Sequence, residues 1–281
     1  MNGNELKNIL TEFKNTDFQS IGTVDLGVLT NAMLTHIGST DPELRDSLIY
    51  PSFAHLIING RYTRPNLNQL MKICLDDNHL FFKVDEVGED AVFTRSFSSL
   101  IIAVLLHVNV KNSFLTDDEV DEVAVKLLEY VKQEEDVRGF VEEKGWAHSI
   151  AHIADALDEL AKQPQLEEDR LMEIALSILG KMYFDKDYLL FEEDERMVVP
   201  MVTILDRGID QSILYDKIDK ITKELQQNYS KNMKTLYMQR TNIKQFLKSL
   251  VLHLEVLDKH ERLRIYLKQA LKTINQPYYN I

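Results

Sequence analysis

The stretch TDDEVDEVAVKLLEYV, from Thr116 to Val131, carries the pattern that governs the whole chain. Thr116 and Glu119 have the spacing of a capping box, in which each side chain accepts a hydrogen bond from the other residue's backbone N–H at the start of a helix. Beyond the cap, apolar residues recur every three or four positions, at Val120, Val123, Leu127 and Val131. The stretch therefore predicts an amphipathic helix with one buried face.

The same pattern recurs on both sides of this helix. In STDPELRDSLIY, Asp41 can cap a helix, Pro42 suits its first turn, and Glu43 lies near the positive end of the helix dipole. In LEEDRLMEIALSILGKMYF an acidic start again leads into apolar residues. Gly and Pro number only 10 and 6, so long stretches can be helical without interruption. We expect about eleven helices, with HLFFKVDEV as the one candidate strand.

Helices of similar length joined by short turns favour a stacked array over a single four-helix bundle. We therefore expect an all-α fold, a single α-solenoid-like array of HEAT-like helical hairpins, although the sequence contains no strict repeat. No glycine-rich or proline-rich linker divides the chain, so we expect one domain over residues 1–281. The acidic turn at residues 163–169 is where a seam is expected.

Composition limits the compartment and the partners. The formal net charge of −13 repels nucleic acids and anionic lipids at long range, so we expect neither a nucleic acid nor a membrane partner. The single Cys, Cys74, lies in an apolar helical pattern, which predicts a buried thiol in a reducing cytoplasm. The most apolar run, LIIAVLL, is far shorter than the roughly 20 residues of a membrane span, and it predicts a buried helix. The N-terminus lacks the pattern of a signal peptide.

The stretch DVRGFVEEKGWAHSIAHIADALDEL holds the only Trp and two of the eight His. If residues 145–162 form one helix, Trp146 shares an apolar face with Ile150, Ile153, Leu157 and Leu160. The opposite face then carries His148, His152, Asp155 and Glu159. We therefore expect Trp146 to be buried and both His side chains to lie outside the core.

This polar face allows three interpretations. It can be a solvated face on which His and acidic side chains support each other at i+3 and i+4. His148, His152 and Asp155 can instead converge on a divalent metal, although one helix rarely supplies three ligands with good geometry. The third interpretation is a pocket for an anionic or polar ligand, to which Arg138 and Lys144 on the approach to the helix would contribute.

A second unusual residue is Glu195, in YLLFEEDERMVVPMVTIL. On a helical wheel it falls on the apolar side, among Phe191, Val198 and Val202. A buried carboxylate needs a partner, which could be Arg196, Arg138 or a His. Alternatively, Pro200 prevents this segment from forming a regular helix.

RGFVEEKGWAHSIAHIADALDEL resembles the signature of a family of bacterial proteins, mainly from Firmicutes, that are known only as a domain of unknown function. DPELRDSLIY, FTRSFSSLIIAVLL and FEEDERM resemble its other blocks in the same order, over about Asp41 to Leu205. The resemblance implies an all-helical fold and a bacterial cytoplasmic origin, and it implies no activity. It is densest around Arg138, Lys144, Trp146, His148, His152 and Asp155, which suggests that these residues act together.

Two hypotheses about function follow. The first is a non-enzymatic binding or scaffold module with a polar groove around the GWAHSIAHIAD helix, which takes a protein segment or a small polar or anionic ligand. Its candidate ligand-binding residues are Arg138, Lys144, His148, His152, Asp155 and Glu195. The alternative is a metal-dependent hydrolase, in which His148, His152 and Asp155 hold a divalent metal that activates water. The sequence leaves open whether the protein is an enzyme.

Overall fold

A computed structural model describes residues 1–227 and 232–279. Over these residues the chain forms thirteen α-helices, one π-helical segment and one two-stranded hairpin, which confirms the all-α fold class. The chain divides into two compact units, Met1–Gln163 and Pro164–Ile281. This boundary lies within residues 163–169, where a seam was expected. The single-domain and solenoid-like organisation stays a prediction.

The first unit contains seven α-helices and the hairpin, in the part of the chain that the structure describes. In chain order these are α1 (Gly3–Asn15), α2 (Leu26–Thr35), α3 (Tyr50–Ile58), α4 (Arg64–Cys74), α5 (Ala91–Asn112), α6 (Asp117–Gln133), β1 (Phe140–Val141), β2 (Gly145–Trp146) and α7 (Ser149–Ala161). The π-helical segment, Glu43–Ile49, runs directly into α3.

The second unit is built from helices alone in its described residues. They are α8 (Glu168–Met182), α9 (Glu193–Asp206), α10 (Ser212–Gln227), α11 (Met233–Val256), α12 (Glu261–Ile274) and α13 (Gln276–Tyr279). Within this unit, α11 packs against α8, α9 and α12.

Helix α5 is the centre of the first unit, where it packs against α3, α4 and α7. Its LIIAVLL run is buried, as predicted, because neighbouring helices cover it on several sides. Of the described residues, only α5 is long and apolar enough to cross a membrane, and 89% of its apolar window is buried inside the protein. The Cys74 thiol at the end of α4 is also buried, as predicted.

Local sequence signals set several helix starts as expected. The capping box of Thr116 and Glu119 is present at the start of α6. The Asp41 carboxylate accepts hydrogen bonds from the backbone N–H groups of Glu43 and Leu44, so it caps the helical segment that follows. The prediction of a strand at HLFFKVDEV is wrong, because residues 79–85 form turns.

The predicted helix over residues 145–162 begins four residues late, at Ser149. Gly145 and Trp146 instead form β2, which pairs with β1 so that Trp146 lies opposite Phe140. Gly145 and His148 have positive φ angles of 79° and 48°, a left-handed conformation that cannot belong to an α-helix. Trp146 is 41% exposed, so the prediction that it is buried is wrong.

The environment of His152 also differs from the prediction. The wheel assumed that one face of α7 is buried, but α7 packs against both α5 and α6. His152 is consequently only 8% exposed, and the expectation that it lies outside the core is wrong. His148, at the start of α7, is half-buried.

Candidate functional site

The hairpin before α7 is held by a buried arginine, Arg45, from the π-helical segment. Its guanidinium donates to the carbonyl oxygens of Lys144, at 2.7 Å, and Ser39, at 2.6 Å, and forms an ion pair with Asp46 at 2.7 Å. It also lies 4.1 Å from the centre of the Phe93 ring on α5. These contacts hold the hairpin against the core, because the rigid guanidinium of Arg45 binds the Lys144 carbonyl and packs on Phe93 at the same time.

Arg138 and Lys144, the two cations of the approach segment, both contact carboxylates. Arg138 binds the buried carboxylate of Asp136 through Nε, at 2.8 Å, and Nη2, at 2.7 Å. Lys144 binds the two oxygens of Asp90 at 2.7 and 2.8 Å. Since each positive charge already has an acidic partner, this geometry does not favour an anionic ligand beside them.

The two His side chains of the segment belong to an aromatic cluster. The His148 ring stacks on Trp146 with 4.2 Å between centroids, and it meets the His152 ring edge to face at 5.9 Å. The Ser96 hydroxyl on α5 donates to the carbonyl oxygen of Ala147 and lies 2.6 Å from Nδ1 of His152. A hydroxyl has one hydrogen, so in this arrangement Nδ1 of His152 donates to Ser96. His152 is therefore a hydrogen-bonded core residue.

The geometry gives no support to a metal site on α7. Among residues 1–227 and 232–279, no group of three or more His, Cys, Asp or Glu side chains is placed to hold a metal ion. Nδ1 of His152 faces Ser96, and the His148 ring lies against Trp146. Asp155, the third ligand of the hypothesis, lines a cavity further along the helix.

This cavity has a volume of about 300 Å³ and lies between three helices of the first unit. It is lined by Tyr50 and Ile58 of α3, by Ala103, Val104 and His107 of α5, and by Asp155, Asp158 and Glu159 of α7. We refer to it as the α7 cavity. The lining therefore combines apolar and polar side chains of α3 and α5 with three carboxyl groups of α7.

The carboxyl groups of the α7 cavity are linked to two neighbouring bases. Nζ of Lys162 lies 2.7 Å from Asp158 and 2.9 Å from Glu159, and Nδ1 of His107 lies 3.2 Å from Glu159. Burial opposes the charge on Lys162, but the hydrogen bonds that it donates to Asp158 and Glu159 outweigh this effect and raise the pKa of the lysine. Lys162 is therefore charged at neutral pH, beside the carboxyl groups of Asp158 and Glu159.

Glu195, the remaining candidate, lies in the second unit on α9, which continues through Pro200. Its carboxylate is partly exposed and lies 2.7 Å from Nε2 of His253, so a His supplies the partner. The fully buried carboxylate of this segment is Glu193, which accepts a hydrogen bond from the backbone N–H of Phe191. Burial raises the pKa of Glu193. The helical wheel grouped Glu195 with Phe191 because it assumed that one helix contains both residues, whereas α9 begins only at Glu193.

Several residues that organise this region were not recognised from the sequence. They are Arg45, Ser96, and the fully buried ion pair between Arg95 and Glu134. One signal was present: ELRDSLI and FTRSFSSLI each place an arginine among the apolar residues of a helical run. A charge in such a position requires a buried partner, and it indicates a long-range contact.

The exposure of Trp146 leads to a prediction about stability. We expect Trp146→Ala to destabilise the protein by less than about 1.5 kcal/mol, because a side chain that is already partly solvated loses little burial. Phe93→Ala, at a fully buried ring of α5, is the control and should cost about 3–5 kcal/mol. Urea unfolding followed by circular dichroism measures both. Equal losses in the two variants would contradict the exposed position of Trp146.

Among the comparisons with known proteins, one family model matches a region that includes the centre of the first unit and most of the second unit. A family model described as "Protein of unknown function (DUF2785)" matches residues 80–252. No curated protein and no solved structure matches the chain.

Proposed function

The chain belongs to the DUF2785 family, whose function is unknown, and we propose that it is a binding module whose α7 cavity takes a cationic group. The ligand is the ammonium or guanidinium group of a protein segment or of a small amine. The observation that carries this proposal is the position of Asp155, Asp158 and Glu159 on one side of a single cavity. A cation there gains charge-assisted hydrogen bonds with carboxylate oxygens.

The shape of the α7 cavity supports the same ligand. Ala103, Val104 and Ile58 add apolar surface to the lining, beside the acidic residues. Lysine and arginine side chains combine an aliphatic stem with a charged end, so the stem can lie on such a surface while the charge reaches the carboxylates. The volume of about 300 Å³ is at the lower end of the roughly 300–1,000 Å³ of small-molecule sites and suits one side chain.

Charge also favours a basic ligand over the anionic one considered from the sequence. Lys162 contacts both Asp158 and Glu159, so its single positive charge is shared between two carboxyl groups. Arg138 and Lys144 are bound to Asp136 and Asp90. The overall net charge of −13 adds a long-range attraction for basic partners, which raises their rate of association.

The test compares two labelled peptides of equal length that differ only in a central Lys or Glu. We expect the Lys peptide to bind, with fluorescence polarisation as the measurement, and affinity to fall as salt is added. The double variant Asp155→Asn/Asp158→Asn should weaken binding by about tenfold or more, because each lost charge-assisted bond is worth about 1.5–3 kcal/mol.

The control is Glu12→Gln, which removes an exposed carboxylate of α1 outside the α7 cavity. It should leave the affinity for the Lys peptide unchanged. Equal binding of the Glu peptide, or full affinity in the Asp155→Asn/Asp158→Asn variant, would refute the proposal. Far-UV circular dichroism of each variant establishes that the fold is retained.

A further inference from the structure

A second cavity of the first unit differs from the α7 cavity in the chemistry of its lining. It lies between α2 and α4, has a volume of about 230 Å³, and falls outside the residues 80–252 that the family model matches. The polar side chains around it are Thr30, Asn31, Tyr62, Asn66 and Gln69. We refer to it as the α2–α4 cavity.

No charged side chain lines the α2–α4 cavity, although 27% of the residues of the chain are charged. Its walls also include the aliphatic side chains of Leu34 and Leu70, which are both buried. A charged group placed there would lose hydration without gaining a counter-charge, which is unfavourable. The lining therefore selects for an uncharged ligand with polar edges and apolar faces.

The hydroxyl groups of the α2–α4 cavity offer an acceptor. The Thr30 hydroxyl donates to the carbonyl oxygen of Leu26 at 2.7 Å, which uses its only hydrogen. In the 2.8 Å contact between Thr30 and Tyr62, the tyrosine hydroxyl must therefore be the donor. The Tyr62 oxygen keeps acceptor capacity for a ligand. Burial raises the pKa of Tyr62 to about 12, so the phenol is neutral at physiological pH.

Three side-chain amides add donors and further acceptors. Oδ1 of Asn66 accepts a hydrogen bond from the Thr63 hydroxyl at 2.7 Å, which leaves its NH₂ group to donate elsewhere. The amides of Asn31 and Gln69 also line the cavity, on side chains that are exposed to solvent. Each of these two amides can therefore offer one donor and one acceptor side by side.

We infer that the α2–α4 cavity binds an uncharged heterocycle whose edge carries adjacent hydrogen-bond donors and acceptors, the chemistry of a nucleobase or nucleoside. Asn and Gln amides form paired hydrogen bonds with such an edge, as they do with adenine. Leu34 and Leu70 add aliphatic surface on which a flat ring can lie. A sugar would bring hydroxyl groups against this surface, where they would lack hydrogen-bond partners.

The size of the α2–α4 cavity agrees with a single ring system. Its volume of about 230 Å³ is smaller than the roughly 300–1,000 Å³ of sites for drug-sized ligands. Gly27 lines the cavity and lacks a side chain, which leaves room for a ligand beside α2. A larger residue at this position would occupy that room.

The experiment is isothermal titration calorimetry with adenosine, uridine, ribose and adenosine 5′-monophosphate. We expect at least one nucleoside to bind, ribose not to bind, and the phosphate to give no gain in affinity. Gln69→Leu and Asn31→Leu should each reduce affinity about tenfold or more, and Gly27→Leu should abolish binding by filling the cavity. Gln226→Leu, an exposed amide of α10, is the matched control and should bind like the unchanged protein.

Each opposite outcome overturns the inference. These are the absence of nucleoside binding at millimolar concentration, equal binding of ribose, a requirement for the phosphate, or full affinity in Gly27→Leu. Circular dichroism establishes that each variant is folded, so a loss of binding reports on the cavity. Asp155→Asn should leave nucleoside binding unchanged, which separates this site from the α7 cavity.

Discussion

Replacing Arg95 by methionine should destabilise the protein by about 3–5 kcal/mol, the cost of removing one partner from a buried ion pair. Arg95 on α5 and Glu134, directly after α6, are both fully buried. Two parallel hydrogen bonds of 2.6 and 2.8 Å join the guanidinium to the carboxylate. Burial opposes the charge on Arg95, but the hydrogen bond and the charge of Glu134 outweigh it and raise its pKa. Arg95 is therefore charged at neutral pH.

A double variant distinguishes the loss of a counter-charge from the loss of packing. Arg95→Met leaves the Glu134 carboxylate buried without its guanidinium, whereas Arg95→Met/Glu134→Leu removes both charges. We expect the double variant to recover most of the lost free energy of unfolding, measured with urea and circular dichroism. A double variant no more stable than Arg95→Met would show that the ion pair itself is not the source of the loss.

The helices could be predicted because their signals are local. Thr116 and Glu119 are three residues apart, and the apolar face of α6 repeats within one turn of helix. The hairpin could not be predicted in the same way, because its turn contains Glu143 in a left-handed conformation, which few residues other than glycine adopt. The helical wheel wrongly predicted a buried Trp146, because Trp146 and Ile150 are four residues apart and this spacing also fits one helical turn.

Only part of the α7 cavity could be predicted from the sequence, because its lining comes from three helices that are far apart along the chain. Asp155 and Glu159 share one face of α7, which follows from their spacing along the sequence. Their partners on α3 and α5 lie about fifty to a hundred residues away along the chain and follow from tertiary packing. The contact between Lys144 and Asp90 is of the same kind, and it gives Lys144 an acidic partner that the sequence did not indicate. A helical wheel contains no information about such pairs.

The second large effect is expected at Gly145, where the hairpin lies close to Pro42 and Arg45. A Cβ atom at this position would lie 2.9 Å from Cβ of Pro42 and 3.2 Å from the Arg45 guanidinium, and the backbone has a φ of 79°. Strain at positive φ costs roughly 1–2 kcal/mol, and overpacking costs a further 1–3 kcal/mol. We therefore expect Gly145→Ala to lower the free energy of unfolding by about 2–5 kcal/mol.

Gly60 separates these two causes, because it has a similar φ of 67° but no atom within 4 Å of the position of its Cβ. Gly60→Ala should therefore cost only the strain, roughly 1–2 kcal/mol. The difference between the two variants in urea unfolding measures the contact of the hairpin with Pro42 and Arg45. Equal losses would mean that the hairpin does not lie against Arg45, and the argument that this arginine fixes the approach to α7 would fail with it.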